Sequence, residues 1–158
     1  MKKFTFSLKI SVYALLCVVF LSFSFADPLE ESASYLQQKL VEHYNAEPEA
    51  KNIKKYELNV TNSGFCRYKR FFNNGKVEYF SFNLLKFKDI DYLGNVQNGT
   101  LYLRTKGDDI IVQTYNDRRG GDIDSMSTSM SIPLKNIEAE ELNEFVQKFE
   151  QIRLALRR

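Results

Sequence analysis

The chain has 158 residues, with 22 Lys and Arg against 20 Asp and Glu, one His, two Cys, no Trp and 14% aromatic residues. One histidine and the one cysteine outside the N-terminal region exclude an ordinary structural zinc site, and the length suits one domain with a real core but not two.

Residues 1–26 have the anatomy of a secretory signal peptide. Lys2, Lys3 and Lys9 precede an apolar run from Ile10 to Phe25, and Ser24-Phe25-Ala26 ends it with small residues at the positions a signal peptidase reads. Cleavage after Ala26 is the expectation, leaving a secreted or periplasmic protein. The alternative is an uncleaved membrane anchor, for which the apolar run is slightly short. Cys17 lacks the small-residue context of a lipoprotein site. Loss of those three lysines takes 22 basic residues to 19 against 20 acidic ones, a net charge of −1. A near-neutral mature chain has no long-range field to gather nucleic acid, and no nucleic-acid partner is expected. Cleavage also leaves Cys66 without a second cysteine, so no intramolecular disulfide can form.

After the cut, Asp27 is a plausible N-cap, with Pro28 at the first helical position and Glu30 three residues after the cap. Leu29, Ala33, Leu36, Leu40 and Tyr44 recur at helical spacing and predict a helix over 28–44 within a helical region 27–46. His43 sits near its C-terminal end, where partial positive charge is favourable, and reads as a solvated helix residue. Pro48 ends the segment.

From 53 to 134 the period becomes two. Tyr56, Leu58 and Val60 alternate with Lys55, Glu57 and Asn59, and Asn62-Ser63-Gly64 forms a turn. The next stretch, CRYKRFFNNGKVEYFSF, reads as a hairpin. A three-residue loop Asn73-Asn74-Gly75 with Gly75 left-handed pairs Phe71 with Val77, Arg70 with Glu78, Tyr68 with Phe80 and Cys66 with Phe82. That register turns Cys66, Tyr68, Phe80, Phe82 and Leu84 to a core and leaves Arg67, Lys69 and Tyr79 outside. Cys66 is then a small hydrophobe with a raised pKa. KDIDYLGNVQNG reads as irregular. TLYLRT and DIIVQTY follow, joined across Lys106-Gly107-Asp108. SMSTSMSIPL is the last strand, with Met126, Thr128, Met130, Ile132 and Leu134 on one face.

A C-terminal helix is predicted over 136–157. Its stripe is Leu142, Phe145, Val146, Phe149, Ile152 and Leu156, with acids at the start and Arg153, Arg157 and Arg158 at the end. The sum is an α+β chain over 27–158: an N-terminal helix, six or seven antiparallel strands as a curved sheet or barrel, and an amphipathic helix packed on it.

Catalytic motifs are sparse. There is no G-x-S-x-G and no H-E-x-x-H, and a His43–Cys66 pair would need tertiary contact. The run from Asp89 fails as a calcium loop at Leu93 and Thr100. Between the last strands lies NDRRGGDID, a Gly-rich charged loop in which Arg118, Arg119, Asp122 and Asp124 are the candidate binding residues, for an anion or a cation. Asn59 and Asn98 begin N-x-T glycosylation sequons.

The order of strands followed by a closing helix, from Tyr56 to Leu156, resembles a pleckstrin-homology-like domain. YFSFNLLKFKDID, from Tyr79, is similar to a strand pattern in small, uncharacterised secreted bacterial proteins. The capped N-terminal helix and the export signal depart from the first pattern, so the phosphoinositide binding it implies is not carried over. The expectation is an exported, non-catalytic binding or accessory module for a peptide, protein or envelope component, with no cofactor. The alternative is a small hydrolase using Asp89 and Asp91, or Asp122 and Asp124.

Overall fold

The computed structural model describes residues 27–157, and the expected signal segment lies outside them. The first helix, α1 (Pro28–Glu42), starts where the Asp27 carboxylate accepts a hydrogen bond from the Leu29 N–H at 3.0 Å. Ala33, Leu36 and Leu40 are buried along the predicted stripe. A short 3-10 turn at Glu47–Glu49 leads into the strands.

Among the described residues eight strands follow, rather than six or seven. They are β1 (Ile53–Val60), β2 (Phe65–Phe72), β3 (Val77–Asn83), β4 (Phe87–Gly94), β5 (Asn98–Thr105), β6 (Ile110–Tyr115), β7 (Ile123–Ser127) and β8 (Ser129–Lys135). The second helix, α2 (Ala139–Ala155), closes the chain, and Glu141 reaches back to accept from the Glu138 N–H at 3.2 Å.

The strands form two antiparallel sheets in the orders β1-β2-β3-β6-β7 and β4-β5-β8, not a single curved sheet or a closed barrel. Three features account for the difference. The segment expected to be irregular supplies β4 and its turn into β5, with Asp89 opposite Arg104 and Leu93 opposite Thr100. β5 and β6, adjacent in sequence, lie in different sheets: β5 pairs with β4 and β8, and β6 with β3 and β7. The expected last strand divides at Thr128. There the Ser127 hydroxyl donates to Ser129 O at 2.9 Å and accepts from Ser129 N at 3.2 Å, while Thr105 N–H donates to Thr128 O at 2.9 Å. The serine takes over main-chain partners, and the chain leaves one sheet for the other. Met126 therefore does not continue the buried row of Met130, Ile132 and Leu134 and is 55% exposed.

The β2–β3 hairpin has the predicted register, including Cys66 opposite Phe82 and Arg70 opposite Glu78. Gly75 has φ +91°, the left-handed conformation that glycine supplies without steric cost. One hydrophobic cluster joins the inner faces of both sheets to both helices, and Phe149 of α2 stacks on Phe87 with centroids 5.0 Å apart. Phe145, Phe149 and Ile152 are buried, whereas Val146, expected in the stripe, is 37% exposed. Among the described residues, no helix is long and apolar enough to cross a membrane.

Candidate binding site at the β6–β7 loop and edge strand β7

The residues with the most reactive side chains are committed to the fold. His43 is not a solvated helix residue: it is 7% exposed, with Nδ1 3.1 Å from Lys135 O and Nε2 3.2 Å from Glu141 Oε1. The end of α1 lies against the end of β8, where Lys135 N–H donates to His43 O at 2.7 Å, and this contact encloses the ring. Both ring nitrogens thus engage Lys135 and Glu141 instead of Cys66. The Cys66 thiol is fully buried, and burial pushes its pKa up to about 12, so the nucleophilic thiolate is suppressed. Asp89 and Asp91 on β4 face Arg104 of the adjacent β5, whose Nε is 2.5 Å from Asp89 and whose Nη1 is 3.5 Å from Asp91. Lys88 Nζ also lies 3.8 Å from Asp89, so these acids are engaged by surface cations. Among the described residues, no three His, Cys, Asp or Glu side chains are grouped to hold a metal ion. Among the described residues, five concavities are each lined by at most one carboxylate.

The candidate loop, NDRRGGDID, links β6 to β7, and its acids stabilise its own turn. Asp117 Oδ1 accepts from Arg119 N at 2.9 Å and Gly120 N at 3.2 Å, and those two N–H groups hold its carboxyl below the usual range. Asp122 accepts from Asn116 N at 2.7 Å. Asp124 lies within β7, opposite Gln113. Arg118 joins Asn74, Gly75, Asn116 and Asp117 around a concavity of about 470 Å³ between the loop and the β2–β3 turn. Arg119 is exposed, and Asp122 and Asp124 are not among that lining, so the four candidate residues do not converge on one point.

The loop delivers the chain into β7, the outermost strand of the five-stranded sheet, and this edge differs from the other three. At β1, the Gln37 side chain from α1 acts as a strand substitute: its Nε2 donates to Leu58 O at 2.8 Å, and its Oε1 accepts from Val60 N at 2.7 Å. At β8, residues 43–45 pair with the edge, including Asn45 N–H to Pro133 O at 3.0 Å. At β4, the engagement is confined to the start of the strand, where Arg153 of α2 donates to Phe87 O at 3.1 Å. β7 pairs with β6 on one side, and among the described residues nothing bonds its main chain on the other. Its apolar side chains are open as well, with Ile123 49% and Met126 55% exposed and Ile111, opposite Met126, also exposed.

The sequence pattern conceals this edge, because the alternation through Met126, Thr128 and Met130 counts β7 as part of a buried strand. It also conceals Arg70. That guanidinium lies on the core side of β2, 5.6 to 5.7 Å from the ring centroids of Tyr68, Phe72 and Phe80, and it lines a concavity of about 350 Å³ with Asn45, Asn98, Thr100 and Ser131. It pairs with Glu78, which Lys76 also holds at 2.6 Å. Burial works to raise the Glu78 carboxyl, but the two cations outweigh it and hold it below the usual carboxylate range. The signal was present in the parity of Arg70 with the buried Cys66 and Tyr68.

No protein family, curated protein or solved structure was found to match the chain.

Proposed function

We propose that the protein is an exported, non-catalytic binding module that takes up an extended segment of a peptide or protein by strand addition at β7. The observation that carries this reading is the open main-chain edge of β7, beside three edges that the protein's own side chains or backbone engage in part. An unpaired strand edge is a template for another strand: its N–H and C=O groups supply affinity, and alternate side chains supply selectivity. Here Met126 borders the added strand on one face, with Ile111 of β6 behind it, and Ile123 on the other. Export is supported by Lys2, Lys3 and Lys9, the apolar run and Ser24-Phe25-Ala26, and N-terminal sequencing of the native protein is expected to begin at Asp27.

The test is selection of extended peptides from a displayed library, followed by amide hydrogen exchange of the complexes. The expected outcome is protection concentrated in Ile123–Ser127. Binding should be lost in Met126→Lys, because a lysine on an edge discourages strand addition while the exposed position leaves the fold intact. Peptides that protect the Arg70 concavity and bind Met126→Lys unchanged would overturn the reading.

A further inference from the structure

The outward face of the five-stranded sheet carries a second pattern, on the side away from β7. Phe65, Arg67, Lys69 and Phe71 alternate along β2 with the fully buried Cys66 and Tyr68, so all four side chains project away from the core. The register sets Lys55 beside Phe71 and Glu57 beside Lys69 from β1, and Val77 and Tyr79 alongside from β3. Cations rest on the rings: the Arg67 guanidinium is 4.9 Å from the Phe65 centroid, and the Lys69 and Lys55 ammoniums are 4.8 and 5.4 Å from that of Phe71. In this part of the face three cations meet one carboxylate, Glu57, which Lys55 already holds at 2.6 Å. The three rings are half-buried, none of them enclosed.

We propose that this face is a platform for single-stranded nucleic acid, with bases stacked on Phe65, Phe71 and Tyr79 and phosphates against Lys55, Arg67 and Lys69. The near-neutral charge of the mature chain and the inward-facing Tyr68, Phe80 and Phe82 argue against nucleic acid at the level of sequence. The sheet, however, sorts the residues by face: the remaining rings share one surface with the basic residues of the stretch, which is the combination that sequence-tolerant single-strand binding uses. The row from Phe65 to Phe71 spans roughly 20 Å, the scale of a short site of about 4 nucleotides. The cations now on the rings do not block it. An exposed ammonium is held on a ring by a factor of about 2 to 5, whereas a stacked base contributes about 5- to 150-fold per ring. A base therefore displaces the lysine, which is left beside the phosphate. A duplex hides its base faces, a bilayer needs apolar side chains that protrude from the sheet, and an acidic protein would use the cations but leave the rings idle.

The probe is a fluorescent oligothymidylate, titrated with the purified protein across a salt series and compared with its duplex, dextran sulfate and vesicles rich in anionic lipid. The expected result is binding of the single strand in preference to the duplex, with a log–log salt slope of about −2 from three phosphate contacts. Phe71→Ala should weaken binding by about 5- to 150-fold, and Lys69→Gln should reduce the slope by about 0.7. If Phe71→Ala fails to fold, Tyr79→Ala and the Lys69→Gln slope carry the test. Absence of binding overturns the proposal. So does binding that dextran sulfate matches and the ring substitutions leave unchanged, which would mark a plain polycation, or a preference for the anionic vesicles, which would mark a membrane face.

Discussion

Cys66 and Gln37 show how single side chains are fixed by the surface they meet. Cys66 has Phe82 opposite it and the core beneath it, and burial alone moves its thiol up to about 12. Native protein is therefore expected to resist thiol reagents at neutral pH and to label fully once denaturant opens the core. Labelling at the rate of a free thiol in native buffer would show that β2 does not face inward. Gln37 is a polar residue on a helix whose amide completes the edge of β1 through Leu58 O and Val60 N. Gln37→Ala strands both groups and should cost about 1 to 3 kcal/mol in a urea melt. The same variant should raise the exchange rate of the Val60 amide.

The two helices bury one face each, yet not every residue of a predicted stripe contributes. Phe149 is fully buried against Phe87, so Phe149→Ala should lose about 3 to 5 kcal/mol through lost burial and the cavity left behind. Val146 is 37% exposed, and Val146→Ala should stay within about 0.5 kcal/mol of the parent. A denaturant melt of the pair separates core from flank, and equal losses would contradict the packing of α2. The β2–β3 hairpin is the element most fully written in its own residues. Asn-Asn-Gly sets the turn, and the alternation of Cys66, Tyr68, Phe80 and Phe82 leaves one register that buries them together.

Glu57, Glu78, Asp117 and Glu141 are all held below the usual carboxylate range, and Glu78 and Glu141 are the two for which burial works hardest against their partners. Glu78 sits between Lys76 and Arg70. For Glu141, burial works to raise the carboxyl, but the Glu138 N–H, Lys39 and His43 outweigh it. Folding favours the ionised form of both. Their contribution is complete above the unfolded glutamate range near about 4.3 and is lost as pH falls through the lower folded values. Stability should accordingly decline on acidification below that range. Glu78→Gln and Glu141→Gln should each be less stable than the parent at neutral pH, with the gap closing in acid. Urea midpoints across pH would show this, and a gap that widened in acid would have the wrong sign.

Local pattern determined which residues form helices, which alternate, where the hairpin turns and that Cys66 faces inward. These follow from a period of 3.6 or 2 and from turn chemistry, all of which act between near neighbours. Tertiary structure decided what depends on distant segments. β5 and β6 part into different sheets although only a short link joins them, because each finds partners far along the chain. Thr128 divides an unbroken alternation, so Met126 belongs to an open edge and Met130 to the core. His43 is enclosed only because β8 and α2 arrive beside the end of α1. Of the candidate loop, Arg118 meets the neighbouring turn while Asp122 accepts from the loop's own Asn116 N–H, a difference in role that only the folded geometry assigns. Periodicity fixes the face a side chain takes, but the identity of what covers that face is a property of the assembled sheets.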